Sequence, residues 1–278
     1  MELITVTCSR DKEQMLLQAN SIDLYVNPPC IHHIIIEDNN MIINEWKNLL
    51  DPFYKRHKLN IISSEEFIDP TLENGWIRQQ VLKLYATKLV NDTHILCLDT
   101  KNIFINQINL DQWPIDHGNN RSTLVTSLKY SIKYREWLDR IKEITKLNID
   151  LKYINSTTPY KMKKVITNKI LELDLKNIFF SNLNLVSEFM LYQIISESIK
   201  EPMSTGNDID VTLWKKEDIQ GLKYLLPETI VLGIHYDLLL DIDNKDWEIL
   251  KKFLIKKQFD NLVIKQLYEK FNIQKYIL

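Results

Sequence analysis

The chain has 278 residues and a formal net charge of −2, and apolar residues make up 45% of it. That length fits one large domain or one domain with an extension, and the apolar share supports a packed core, which excludes a disordered chain. The near-zero charge leaves no global field to attract nucleic acid or a membrane.

No apolar run reaches the roughly 18 residues that a transmembrane helix needs. The first residues enter a strand-like pattern without the basic and small-residue regions of a signal peptide, so a cytoplasmic protein is expected. Cys8, Cys30 and Cys97 fit neither a disulfide framework nor a zinc site and are expected as reduced thiols.

Residues 2–7 alternate and read as a strand. Residues 11–21 carry Met15, Leu16 and Leu17 among polar residues and read as a helix. A β-branched run over 31–37 lies between Pro28-Pro29 and Asp38-Asn39-Asn40, the pattern of a buried strand. A helix is expected over 42–50, a third strand at 59–62, a long helix over 75–90, a fourth strand at 94–99 and another over 122–127. The second half reads as more helical, with an amphipathic helix at 128–147. Thr158-Pro159 reads as a helix start, threonine as the cap and proline at the first helical position. A helix over 184–200, a late strand over 229–235 and helix from 246 onward complete the pattern.

Strands alternating with helices predict βαβ units, an α/β fold with a mostly parallel sheet flanked by helices. Ligands of such sheets bind at the carboxyl ends of strands. The residues to watch are therefore Thr7-Cys8-Ser9-Arg10, Glu37-Asp38-Asn39 and Asp99-Thr100-Lys101-Asn102.

Two constellations stand out. On the 75–90 helix, Trp76, Gln80, Lys83 and Thr87 share one stripe with Gln79 at its edge, while Ile77, Val81 and Leu84 face the core. A ring, two amides and a lysine suit a nucleotide; the same stripe is also what a solvent face with one half-buried tryptophan would show. At 94–102 an apolar strand ends in Asp99 with Lys101 two residues on. A carboxylate there can hold a divalent metal against a diphosphate, a lysine can neutralise the diphosphate itself, and an Asx-turn is the plain structural alternative. Glycines are isolated, so there is neither a dinucleotide-binding nor a P-loop signature, and no nucleophile elbow is present.

Gly75-Trp76-x-x-Gln79-Gln80-x-x-Lys83-Leu84 together with Leu98-Asp99-Thr100-Lys101-Asn102 resembles a poorly characterised family of bacterial and phage proteins with a GT-A-like glycosyltransferase fold. Thr7-Cys8-Ser9-x-Asp11, Thr158-Pro159-Tyr160, Ser187-Glu188-Phe189-Met190-Leu191-Tyr192 and Gly233-Ile234-His235 are similar to further segments of that family. The resemblance spans about residues 3–240. It implies a GT-A-like, Rossmann-type domain over 1–240 and a helical C-terminal extension over 241–278. It also implies transfer of a sugar from a nucleotide-sugar donor to a glycan or other hydroxyl acceptor, in surface polysaccharide or glycan synthesis.

On that reading the donor is held by Thr7, Ser9, Arg10, Asp38, Trp76, Gln79, Gln80, Lys83, Asp99, Lys101 and Asn102. Glu188, Asp38 and Lys101 carry the catalysis, and Thr158, Tyr160 and Tyr192 lie on the acceptor side. GT-A enzymes usually end this strand with Asp-x-Asp for a metal. Here Lys101 takes the third position, which leaves manganese or magnesium open, with Asp99 and His235 as the ligands if one binds. The alternatives are a non-catalytic relic that holds a nucleotide or glycan, and a sugar nucleotidyltransferase, which would want a glycine-rich basic loop near the N-terminus.

Overall fold

The computed structural model describes residues 1–37, 43–69, 75–113, 126–127, 132–149, 151, 153–154, 158–180, 186–201, 210–227 and 229–274. The first half runs β1 (Glu2–Thr7), α1 (Lys12–Tyr25), β2 (Val26–Asn27), β3 (Ile31–Ile36), α2 (Ile43–Leu50), β4 (Lys58–Ser63), α3 (Gly75–Ala86) and β5 (His94–Asp99). Then come β6 (Asn102–Phe104), β7 (Ile108–Asn109), β8 (Thr126–Ser127), α4 (Ile132–Thr145), β9 (Tyr153–Ile154), β10 (Tyr160–Lys163), α5 (Lys164–Leu171) and α6 (Leu175–Phe180). The chain continues through α7 (Glu188–Ser198), β11 (Asp210–Leu213), β12 (Val231–Ile234), α8 (Tyr236–Asp241), α9 (Asn244–Lys256) and α10 (Asn261–Gln274).

The central sheet has the order β10-β5-β1-β3-β4. β1, β3, β4 and β5 are parallel, and β10 adds an antiparallel edge on β5. The fold is mixed α/β, with a mostly parallel sheet flanked by helices, as the alternation of elements predicts. β1 steps to β3 and then to β4 on one side, and α3 carries the chain back across to β5 on the other side of β1. The sheet therefore reverses its winding between β1 and β5, and a crevice opens outside the carboxyl ends of such a pair.

Alternation along β1 divides the core. Ile4 and Val6 join α3, α4, α5 and α7 in one apolar cluster, while Ile34 and Ile36 of β3 join α1, α2 and the C-terminal helices in another. Each fully buried leucine or isoleucine in these layers contributes about 1.5–3 kcal/mol through apolar burial. The C-terminal helices are fastened to α1: Lys270 pairs with Glu13 at 2.6 Å, and the Asp260 amide donates to Asn20 Oδ1 at 2.9 Å. A second sheet, β11-β12-β6, extends from the β5–β6 turn. Among the described residues no helix is long and apolar enough to cross a membrane.

One expected element is of the other type. Thr158-Pro159 opens strand β10, not a helix; the helix begins at Lys164. Tyr160 and Met162 alternate inward and are fully buried, so pairing with β5 through Tyr160–Cys97 and Met162–Ile95 overrides the capping pattern. Of the strand expected at 122–127, residues 122–125 lie outside the described residues, and β8 covers the rest.

Candidate functional site

The register places the polar strand ends side by side. Thr7 pairs with Ile36, Ile36 with Ser63, and Val6 with Asp99, and the Glu37 amide donates to the Thr7 carbonyl at 2.8 Å. The segments after β1, β3 and β5 therefore line one edge, about 4.8 Å from strand to strand.

At that edge α3 and α7 converge on the end of β5. The buried Lys83 ammonium lies 2.8 Å from Asp99 Oδ1 and 3.2 Å from Glu188 Oε1. Lys101 pairs with the other Asp99 oxygen. Two cations and two anions thus form one compact cluster, with Lys83 at its centre and 5.4 Å above the Phe189 ring.

Burial alone would raise the Asp99 carboxyl, but Lys101 and Lys83 outweigh it and hold the group well below the usual carboxylate range. Burial would likewise lower Lys83, and Asp99 and Glu188 more than reverse that, so the ammonium stays charged. Ser187 Oγ lies 3.5 Å from Glu188 Oε2. Gln80 Oε1 accepts from the Glu188 amide at 3.1 Å, which seats the start of α7 against α3, while Gln80 Nε2 is buried without a hydrogen-bond partner among the described residues.

The turn that presents Asp99 and Lys101 is braced from behind. Asn102 Oδ1 accepts from the Asp99 amide at 2.8 Å, and Asn102 Nδ2 donates to the Thr158 carbonyl at 3.2 Å. Gln18 Nε2 donates to the carbonyls of Asp99 and Asn102 at 2.7 and 3.0 Å. Asn102 is itself buried, so it positions the turn rather than facing the cleft.

Several expected ligand contacts are placed differently. Thr7 is fully buried because it is the last paired residue of a central strand. Trp76 does not join Gln80 and Lys83 in the interior: it is 43% exposed and its ring lies 6.1 Å from that of Trp137 on α4. It sits at the first turn of α3, before the helix passes under α7. Gln79 is half-buried.

Tyr160 and Tyr192, expected on the acceptor side, are buried in the core: Tyr160 stacks on Phe189 at 4.1 Å, and the Tyr192 hydroxyl accepts from the Lys163 amide at 2.7 Å. Thr158 is buried as well, its hydroxyl without a hydrogen-bond partner among the described residues. Ser9 is half-buried and Arg10 exposed on the rim, where Arg10 meets Asp11 at 3.1 Å and lies over Tyr236 at 5.4 Å. Asp38 lies outside the described residues. His235 caps α8, with Nδ1 accepting from the Asp237 amide at 3.3 Å; burial lowers its pKa.

Two features escaped the sequence reading. Arg78, buried, pairs with Glu37 at 3.4 Å and donates to the Asp69 carbonyl at 3.0 Å, closing the edge between β3 and α3. Trp214 packs at a 30° tilt against His235 beside the Asp99–Lys101 turn. Arg78 lies on neither the Trp76–Lys83 stripe nor the Ile77–Leu84 face of α3.

The donor set at Asp99 does not suit a divalent cation. Its two oxygens face one ammonium each, and a dication entering there would meet both. Among the described residues no group of three or more His, Cys, Asp or Glu side chains is placed to hold a metal ion.

Residues 7–226 match the sequence profile of a family of unknown function, DUF6492. No curated protein matches the chain. In three dimensions the chain is similar to the apo form of the bifunctional glycosyltransferase WbbM (TM-score 0.53, 11% identity, 97% of this chain and 51% of that one). It is also similar to apo mouse xyloside xylosyltransferase 1 (TM-score 0.51, 8% identity, 85% of this chain and 98% of that one). The apo form of the glycosyltransferase GlyE of Streptococcus pneumoniae TIGR4 aligns with a TM-score of 0.48 at 11% identity over 97% of this chain and 63% of that one. The chain thus spans about half of WbbM and under two thirds of GlyE. WbbM and the xylosyltransferase carry the assignment of the fold as GT-A.

Proposed function

We propose that this chain, which belongs to the DUF6492 family of unknown function, is a glycosyltransferase that moves a sugar from a nucleoside-diphosphate donor to a hydroxyl acceptor. The observation that carries the reading is the Lys83–Asp99–Lys101–Glu188 cluster, set at the carboxyl end of β5 beside the reversal of winding in a GT-A sheet. The donor lies across the ends of β1, β3 and β5. Arg10, Lys83 and Lys101 meet its diphosphate, and Asp99 orients the two lysines.

In the reaction the acceptor oxygen bonds to the anomeric carbon as the bond from that carbon to the diphosphate breaks. The diphosphate leaves with the electron pair, and the lysines offset its developing charge. The acceptor proton goes to a carboxylate, Glu188 or Asp38. Glu188 serves this role from beneath Lys83, so Lys83 must turn from it toward the diphosphate when the donor binds. Lysine charge then stands where a metal would be expected. Building of a surface polysaccharide or modification of a glycan is the setting, in the cytoplasm.

The internal neutrality of the cluster favours one second reading, a domain that holds a nucleotide or glycan without turnover. A thermal-shift screen of nucleotides and nucleotide-sugars, followed by assay of sugar release from each binder, separates the two. Nucleotide-sugar binding with release supports the transferase, and binding without release supports the relic. A chain stabilised by no nucleotide or nucleotide-sugar would sink the transferase and leave only a glycan-holding domain.

A further inference from the structure

Trp214 and His235 leave neighbouring strands at the same level. β11 and β12 are parallel with Leu213 opposite Ile234, and the His235 amide donates to the Leu213 carbonyl at 3.1 Å, one step beyond the ladder. Their rings lie 4.4 Å apart at 30°. His235 covers one face of the indole, yet Trp214 is still 45% exposed, an uncommon position for so large a ring.

The arrangement is held from several sides. The Trp214 and Lys215 amides both donate to Asp218 Oδ2, at 2.8 and 2.9 Å. The Ile234 amide donates to the Lys101 carbonyl at 3.0 Å, which ties the stacked pair to the Asp99–Lys101 turn. His235 Nδ1 lies 3.3 Å from the Asp237 amide and 3.4 Å from Asp237 Oδ2, and Nε2 makes no hydrogen bond among the described residues. A backed aromatic face with an unspent ring nitrogen at its edge suits a pyranose ring: the C–H face of the sugar packs on the indole and a hydroxyl hydrogen-bonds to the imidazole.

A nucleobase would also stack on an indole, and the glycan and nucleotide arms of the test below separate the two. Trp214 follows β11 in the β11-β12-β6 sheet, and the Ile234 carbonyl accepts from Gln14 Nε2 at 2.7 Å, so the pair borders the first turn of α1 as well as the Asp99–Lys101 turn. We propose that Trp214 and His235 form a carbohydrate-binding platform that seats the acceptor sugar beside Lys101. The assignment as an acceptor subsite rests on the glycosyltransferase reading.

The test uses the labelled full chain on a glycan array with and without nucleotide, as wild type, Trp214→Ala, Trp214→Phe and His235→Ala, alongside calorimetry with free nucleoside diphosphates. The wild type is expected to bind a class of glycans. Trp214→Ala should cut that signal at least about tenfold, with Trp214→Phe retaining part of it, while nucleotide affinity stays within about twofold. Equal glycan signal from Trp214→Ala and wild type, no glycan bound by wild type, or a parallel loss of nucleotide affinity would each overturn the platform. Release of sugar from nucleotide-sugars in the absence of acceptor reads the underlying proposal separately. If that release is absent while Trp214-dependent glycan binding remains, the platform stands and the transferase reading falls.

Discussion

Lys83 on α3 bridges to Glu188, the first residue of α7, at 3.2 Å, while the same ammonium reaches Asp99 at the end of β5 at 2.8 Å. One side chain thus joins two helices and a strand, and the lysine belongs to the scaffold before it meets any ligand. Lys83→Ala would leave Glu188 buried without its cation and Asp99 with Lys101 alone. The expected cost is about 3–5 kcal/mol, read as a lower urea midpoint with the slope unchanged. The double variant Lys83→Met with Glu188→Gln should recover part of that loss. A Lys83→Ala protein as stable as wild type would show the bridge to be idle.

Metal dependence follows from the two ammoniums at Asp99. Nucleotide-sugar binding is expected to be the same in EDTA and in excess manganese. Lys101→Asp adds a second carboxylate and should make binding respond to manganese. Wild-type binding that vanishes in EDTA and returns with manganese would show that the lysines do not stand in for an ion.

Gly233 is required by the approach of β11 to β12. A Cβ there would sit 2.6 Å from Thr212 Oγ1 and 3.0 Å from its Cγ2, and a β-branched side chain within a strand has little room to turn away. Gly233→Ala should therefore cost about 1–3 kcal/mol by overpacking and weaken whatever binds at Trp214. Adding Thr212→Ser, which removes the Cγ2 contact, should restore part of the stability in thermal unfolding. No loss in the single variant would mean that the strands part without cost.

Stability should also fall in mild acid through His32. The ring is fully buried between Thr5 Oγ1 at 2.9 Å and the Tyr54 hydroxyl at 2.6 Å. Burial, assisted by His33 and His57, lowers its pKa from 6.5 to about 3. Between those values the unfolded chain binds a proton that the folded chain does not. This contribution is therefore complete above 6.5 and declines as pH falls toward 3, by up to about 1.4 kcal/mol per pH unit. Chemical denaturation from pH 6.5 to 5, above the range where most carboxylates titrate, should show this slope, reduced in His32→Gln. His57 and His235, whose pKa values are also lowered by burial, add to the slope in both proteins. Identical slopes would place the dependence elsewhere.

Local pattern was enough for the parallel sheet. β-branched runs such as Ile34-Ile35-Ile36 form strands because burial on both faces demands continuous apolar residues, and the spacing between them leaves room for crossover helices. From that order alone, the ends of β1, β3 and β5 were expected to share an edge. The Gln80–Lys83 stripe was likewise legible as the polar face of its helix, and Glu188 as a carboxylate at a helix start. Their pairing was not, because 105 residues separate Lys83 from Glu188 and nothing local encodes which carboxylate a lysine will meet.

Tertiary contact decided the rest. Thr158-Pro159 carries a helix-start signature, yet the open edge of β5 and the inward alternation of Tyr160 and Met162 outweigh a local cap, which is worth only about 1 kcal/mol. Trp76 and Trp214 are both tryptophans among polar residues. One lies against Trp137 at the start of a helix and the other against His235 beside Lys101. The sequence by itself determined the alternation of the first strands and helices and the edge that the ends of β1, β3 and β5 share. Only the folded chain determined which charges neutralise one another there and which ring faces outward, because those depend on distances between segments that no local periodicity specifies.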